Sequence, residues 1–239
     1  MKKLVLMTGI AALAFAACAT APEPVPGRLA EPVGFVALTF DDGPFDHSDR
    51  LLRLLDELEV RATFFVIGRH VQMRPEQTRR IFEAGHEIAN HSWNHINLGA
   101  PSPGFDVIRQ ELGDTSDAIR GITGEAPIFF RAPNLNYGPD LTQIAREMGL
   151  PIMGADAIGM DWEDISPSRI VDHVLGAARD GSIVLLHEQF SGDNLRTERA
   201  LPEIIRGLRV QGLEIVTLGE LARIKGAELT AGTLYNRID

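Results

Sequence analysis

The chain has 239 residues, 44% of them hydrophobic and 23% charged, with a formal net charge of −10. That length and apolar content admit one large α/β domain or two small ones, with a sizeable core. The negative balance argues against nucleic acid as a partner, against a broad electrostatic grip on anionic membranes, and against a strongly acidic substrate.

Lys2 and Lys3 precede an apolar run from Leu4 to Ala17. This run is shorter than the ~20 residues of a membrane-spanning helix, and residues 1–17 read as a signal peptide. Cys18, the single cysteine, follows directly, so no internal disulfide can form. The context Ala14-Phe15-Ala16-Ala17-Cys18 resembles a bacterial lipobox, whose cysteine is acylated and becomes the new N-terminus. Phe15 departs from the Leu, Val or Ile of that pattern. The competing reading is an ordinary signal peptidase site that leaves a free thiol. Residues 18–32 are rich in Pro and Ala and read as a stiff tether carrying the lipid. The expected organisation is this leader and tether, a domain over 33–225, and a tail over 226–239 with no clear periodicity.

From Val33 onward, short apolar runs alternate with amphipathic stretches. Strands are expected at Gly34–Phe40, Ala62–Ile67, Glu87–Asn90, Ile128–Arg131, Ile152–Ala155, Ser182–His187 and Glu214–Leu218. Ser48 reads as the N-cap of a helix through Leu51–Leu58. Pro75 suits a first helical turn, and Gly85 follows that helix. Pro103 precedes a longer helix, Leu141–Met148 is followed by Gly149, Ser166-Pro167 opens another, and Asn194 reads as the cap of the last long one. Roughly seven βα repeats indicate an α/β barrel or an open doubly wound sheet.

Polar groups gather where these strands end. Asp41 and Asp42 close the first, at Gly43-Pro44. Adjacent side chains on an extended strand diverge, so the two aspartates must differ in task or sit where the strand bends. Side by side, they repel unless a cation or a shared proton intervenes. His91 and His95 follow the third strand at a spacing that puts both imidazoles on one face of a helical turn, which suits a zinc-like ion. Two His and one Asp leave positions for water, as catalytic zinc sites do. Arg131 closes an apolar strand, where burial demands a carboxylate partner. Asp161-Trp162 follows the strand through Ala155. His187 ends the most apolar strand, with Leu185 on its face.

With these motifs in place, the chain resembles the polysaccharide deacetylase family, carbohydrate esterase family four, with its NodB-type homology domain. The match covers Val33 to Leu221 and rests on Thr39-Phe40-Asp41-Asp42-Gly43-Pro44 with His91-Ser92-Trp93-Asn94-His95, then Arg131-Ala132-Pro133 and Leu186-His187. The expected fold is a single distorted (β/α) barrel of about seven strands with its active site at their C-terminal ends. The resemblance implies that Asp42, His91 and His95 bind a divalent metal, usually Zn2+, with Co2+, Ni2+ or Mn2+ as alternatives. It assigns Asp41 as the base toward a metal-bound water, Arg131 to hold and orient Asp41, His187 as the general acid, and Asp161 to orient His187. Trp162 and Leu185 would wall an acetyl pocket, and the backbone N–H of Asn134 would face the oxyanion.

The third motif departs from the family's Arg-Pro-Pro-Tyr-Gly, because Tyr137-Gly138 arrive three positions late. Tyr137 becomes a groove candidate, as does Phe190. Asp156, Glu163 and Asp164 compete with Asp161. His47, His70, His86 and His173 read as surface or capping residues. The implied activity is removal of acetyl groups from an N-acetylated polysaccharide or oligosaccharide. The rivals are an O-acetyl esterase on a polymer such as xylan, and a non-catalytic sugar-binding envelope protein. The expected partners are an acetylated glycan and, through the lipid on Cys18, a membrane of the cell envelope. The protein is expected to be exported and monomeric.

Overall fold

The computed structural model describes residues 32–188 and 195–239. The signal peptide, Cys18, nearly all of the tether, Phe190 and Asn194 lie outside the described residues. Strand and helix alternate: β1 (Gly34–Asp41), α1 (Ser48–Glu57), β2 (Thr63–Val66), α2 (Gly68–Met73), α3 (Pro75–Glu83), β3 (Glu87–Asn90), α4 (Phe105–Thr123), a 3-10 turn (Pro133–Leu135), α5 (Pro139–Glu147), β4 (Ile152–Met153), β5 (Ala157–Ile158), α6 (Pro167–Ala177), β6 (Ile183–His187), α7 (Arg196–Val210), β7 (Leu213–Val216), α8 (Leu218–Lys225) and β8 (Leu234–Tyr235). Among the described residues no helix is long and apolar enough to cross a membrane.

The parallel pairings run β3-β2-β1-β6-β5. β6 takes one edge of β1 over Ala37–Asp41, while the other edge is shared by β7 at Gly34–Ala37 and β2 at Thr39–Asp41. The ring continues from Asn90 to Phe130, from Phe130 to Ile152, through the β4–β8 pair, and from Arg237 back to Ser182. The sheet therefore closes into a distorted barrel. Residues alternate between its two sides. Val36, Leu38, Phe40, Phe64, Val66, Val184 and Leu186 pack outward with the helices, whereas Ala37, Phe65, Ala89, Phe129, Met153, Ile183 and Leu185 fill the lumen.

Several elements differ from expectation. Ile128–Arg131 contributes a single bridge residue, Phe130, between Asn90 and Ile152. Pro127 and Pro133 flank this segment and supply no N–H to a ladder, which keeps it short. The strand expected at Ile152–Ala155 ends at Met153 as β4, and β5 at Ala157–Ile158 is a further strand that was not expected. The strand expected at Glu214–Leu218 ends at Val216, because Thr217 caps α8: its hydroxyl accepts from Glu220 N–H, and the Glu220 carboxylate accepts from Thr217 N–H. Thr217-x-x-Glu220 is a capping-box pattern present in the sequence and missed there. Beyond Gly226, where no element was expected, β8 pairs with β4 and Ile238 is buried. Ser48 is the first residue of α1 rather than its N-cap, a position held by His47.

Candidate active site

Strand alternation sends Thr39 and Asp41 into the lumen, where Arg131 meets them. Arg131 is 0% exposed. Its Nη1 donates to Asp41 Oδ1 (2.6 Å) and Thr39 Oγ1 (2.8 Å), its Nε to Met153 O (3.1 Å) and its Nη2 to Gly154 O (2.9 Å). The guanidinium lies 4.0 Å from the Phe65 ring centre. A buried charge persists because its donors are matched in this way; losing one partner of such a pair costs about 3–5 kcal/mol.

Asp42 does not continue the strand. Its φ of 79° puts it in the left-handed region, strained for a non-glycine residue, and this is the bend that the paired aspartates required. Phe65 O accepts from Asp42 N–H (3.1 Å), and Asp42 O lies 2.8 Å from His70 Nδ1. His70 is therefore buried against the aspartate loop rather than lying on the surface.

His91 and His95 sit on an irregular loop after β3, not on a helical turn. Ser92 (φ 66°) and His95 (φ 58°) are both left-handed, and they bring the rings together where a helix would have used its regular spacing. The loop is fixed from below. Asn90 Oδ1 accepts from Ser92 N–H (2.8 Å), and Asn90 Nδ2 donates to Leu112 O (2.8 Å) and Ser116 Oγ (2.9 Å). Glu111 accepts from the backbone and side chain of Asn94, each at 2.7 Å. Asn90 and Glu111 were given no role from the sequence because each bridges this loop and α4, which are remote in chain order. His91 Nδ1 lies 2.9 Å from Arg131 O, so it donates there and its Nε2 lone pair points into the site.

The Nε2 atoms of both rings converge on Asp42. Its Oδ1 is 3.5 Å from His91 Nε2 and 3.3 Å from His95 Nε2, and it is buried without a hydrogen-bond partner among the described residues. Ligands held at ~2.0–2.1 Å around a tetrahedral ion lie about 3.3 Å apart. The donor set, its spacing and the orphaned oxygen all fit a divalent cation. Burial by itself would raise the Asp42 carboxyl, but contact with His91 and the charges of His91, His187 and His95 outweigh it and lower the group to about 2. Burial, then the neighbouring His91, push His95 down, which favours the neutral ring that metal binding needs.

Across β2 and β1, His187 ends β6. Its Nδ1 lies 2.8 Å from Asp161 Oδ1, and its backbone N–H donates to Asp161 Oδ2 (2.8 Å), which also accepts from Thr197 Oγ1 (2.6 Å). Burial opposes charge on His187, but the hydrogen bond and charge of Asp161, followed by Asp41 and Asp42, raise it to about 9. Asp156 is spent on Ile183 N–H, Ser182 Oγ and Arg179, while Glu163 and Asp164 are exposed. Of the four acids, Asp161 is the one on His187.

Trp162 is 49% exposed and stands edge-on to His187, with ring centres 5.2 Å apart. Leu185 is buried in the lumen two residues before His187. Asn134 is exposed with φ 56° in the 3-10 turn, and Leu135 N–H and Asn136 N–H close that turn on Ala132 O and Pro133 O. The Asn134 N–H belongs to the first turn, where no intrahelical acceptor exists. The Tyr137 hydroxyl is buried without a hydrogen-bond partner among the described residues, and burial raises it to about 12.

The profile of the polysaccharide deacetylase family matches residues 29–153. The chain is 36% identical over 192 residues to the peptidoglycan-N-acetylmuramic acid deacetylase PdaC of Bacillus subtilis, a match covering 80% of this chain and 39% of that protein. It is 37% identical over 199 residues to a chitooligosaccharide deacetylase of Bradyrhizobium sp. (strain ANU 289), covering 78% and 90%. A family 4 acetyl xylan esterase from Clostridium thermocellum, solved with a cobalt ion, superposes with a TM-score of 0.79 at 36% identity, covering 85% of this chain and 98% of that one. The chain belongs to the polysaccharide deacetylase family, hydrolases of carbohydrate esterase family four. It spans 31–41% of the length of the first curated relatives it matches.

Proposed function

We propose that the protein is a metal-dependent deacetylase that removes acetyl groups from N-acetylated sugars of a cell-wall or chitin-like glycan. The observation that carries this reading is the placement of the Asp42–His91–His95 cluster between two acid–base groups, Asp41 tied to Arg131 and His187 tied to Asp161. Asp42, His91 and His95 would hold Zn2+, a set that also accepts Co2+, Ni2+ or Mn2+. When bound, the ion would polarise the acyl oxygen and lower the pKa of water toward ~7.

The chain's own residues supply the rest. Arg131 occupies Asp41 Oδ1, which leaves Oδ2 facing the ligand cluster, 3.7 Å from His91 Nε2. From there Oδ2 takes a proton from the attacking water. The Asn134 N–H donates to the oxygen of the reacting carbonyl as its charge develops. Asp161 engages His187 through Nδ1, so Nε2 is the atom that hands a proton to the departing nitrogen, which leaves poorly without one. Trp162 and Leu185 enclose the acetyl methyl, and Tyr137 borders the groove. An ester would meet the same groups, so an O-acetylated polymer is the rival substrate. The test is acetate release from N-acetylchitooligosaccharides, peptidoglycan and acetylated xylan side by side. Release from the amides alone supports the reading, release from xylan alone replaces it with an esterase, and silence on all three removes it.

Lys2-Lys3, the apolar run to Ala17 and the lipobox-like context of Cys18 support export and acylation at Cys18, which would anchor the enzyme in the envelope near its polymer. Labelled palmitate on the native protein and on a Cys18→Ala variant alike would refute the anchor.

A further inference from the structure

The segment Asp41–Ser48 carries both catalytic-site aspartates, and it is tied down on two sides. On one side, Phe65 O accepts from Asp42 N–H (3.1 Å), Gly43 O accepts from Ile67 N–H (2.9 Å), and His70 reaches Asp42 O. On the other side stands Glu188, the residue after His187. Its backbone N–H donates to Asp41 O (3.0 Å), and its side chain turns back under the loop, where Ser48 Oγ donates to Oε1. Ser48 Oγ in turn accepts from Phe45 N–H (2.8 Å). The Glu188 carboxyl is buried, with the residue only 3% exposed, and Oε2 has no hydrogen-bond partner among the described residues. That oxygen fills the space beside Gly43: a Cβ at position 43 would fall 2.0 Å from it. The glycine between the aspartates and Pro44 thus makes room for the Glu188 carboxyl.

An aspartate at φ 79° keeps its conformation only if its surroundings over-determine it. We infer that Glu188 is a positioning residue, whose side chain locks the Asp41–Ser48 loop to the strand end bearing His187 and so sets the spacing between the metal ligand Asp42 and the proton donor. Burial raises the Glu188 carboxyl to about 7, in keeping with a group enclosed by the loop rather than solvated. The catalytic part of this inference rests on the deacetylase reading; the metal-binding part stands without it.

The test compares the full-length protein with Glu188→Ala, Glu188→Gln and Ser48→Ala. The readouts are Co2+ affinity by chelator competition, and kcat and KM for acetate release. Glu188→Ala is expected to weaken Co2+ binding about 10-fold, with a matching fall in kcat and KM within about twofold. Glu188→Gln, whose amide oxygen still accepts from Ser48, restores most of both. Ser48→Ala moves Co2+ affinity in the same direction by a smaller factor. A folded Glu188→Ala protein with native Co2+ affinity and kcat overturns the inference. Where Glu188→Ala does not fold, native Co2+ affinity in Ser48→Ala overturns it. If the native protein releases no acetate from any glycan, the deacetylase reading fails and the Co2+ affinities still decide the role of Glu188.

Discussion

His95 and His187 lie on the same rim, separated by β2 and β1, and their surroundings push them in opposite directions. His95 shares its space with His91 and is pushed down by burial and by that neighbour. His187 is as enclosed, yet Asp161 raises it to about 9. In the proposed mechanism, the same side chain is thus pushed toward the neutral form where it would offer a lone pair and toward the charged form where it would give up a proton. What separates them is the partner: a second imidazole in one case, a carboxylate saturated by His187 N–H, His187 Nδ1 and Thr197 in the other. Environments that push titratable groups apart are what sort them into roles.

That division can be broken at its centre. Asp41→Asn keeps the shape of the base and its tie to Arg131 but cannot accept the proton. It is expected to lower kcat/KM by about 10²–10⁴ while metal content stays native. Activity within tenfold of native removes Asp41 as the base.

The metal side is separated from the proton-donor side by His91→Ala. Outer partners of metal ligands are worth about 10–100-fold in affinity, so loss of a ligand is expected to cost at least about 100-fold. Zn2+ stoichiometry after dialysis measures it, and full occupancy dissolves the ligand set.

The donor side is sharpened by the pH profile. His187 is raised to about 9, so with His187 as the acid, activity is expected to fall as pH climbs through that value. Asp161→Asn removes the attraction that holds the proton, so the alkaline limb should move to lower pH by about one to three units, with metal binding unchanged. An unmoved limb means that His187 does not owe its charge to Asp161.

The candidate site was legible in the sequence wherever residue types suited to the proposed chemistry stood at or just past a strand end. Asp41, Asp42, His91, His95, Arg131 and His187 each announced themselves in this way. Asp161 was chosen from the sequence with Asp156, Glu163 and Asp164 as competitors, and its contact with His187 is what sets it apart from them in the structure. Glu188, His70, Asn90 and Glu111 were not legible, because each acts on residues far away in the chain or through backbone atoms that no motif records.

The fold divides along the same line. Alternating apolar runs, helix caps and the prolines at Pro75 and Pro167 are local signals, and they determined the βα repeat and most element positions. Barrel closure was decided elsewhere, by the two bridges of the single residue Phe130 and by the pairing of β8 and Arg237 with distant segments. So was the convergence of His91 and His95, which depends on two left-handed residues held by α4. Local propensity reads only near neighbours, whereas closure and strain are set by hydrogen bonds between residues that meet only once the chain has packed.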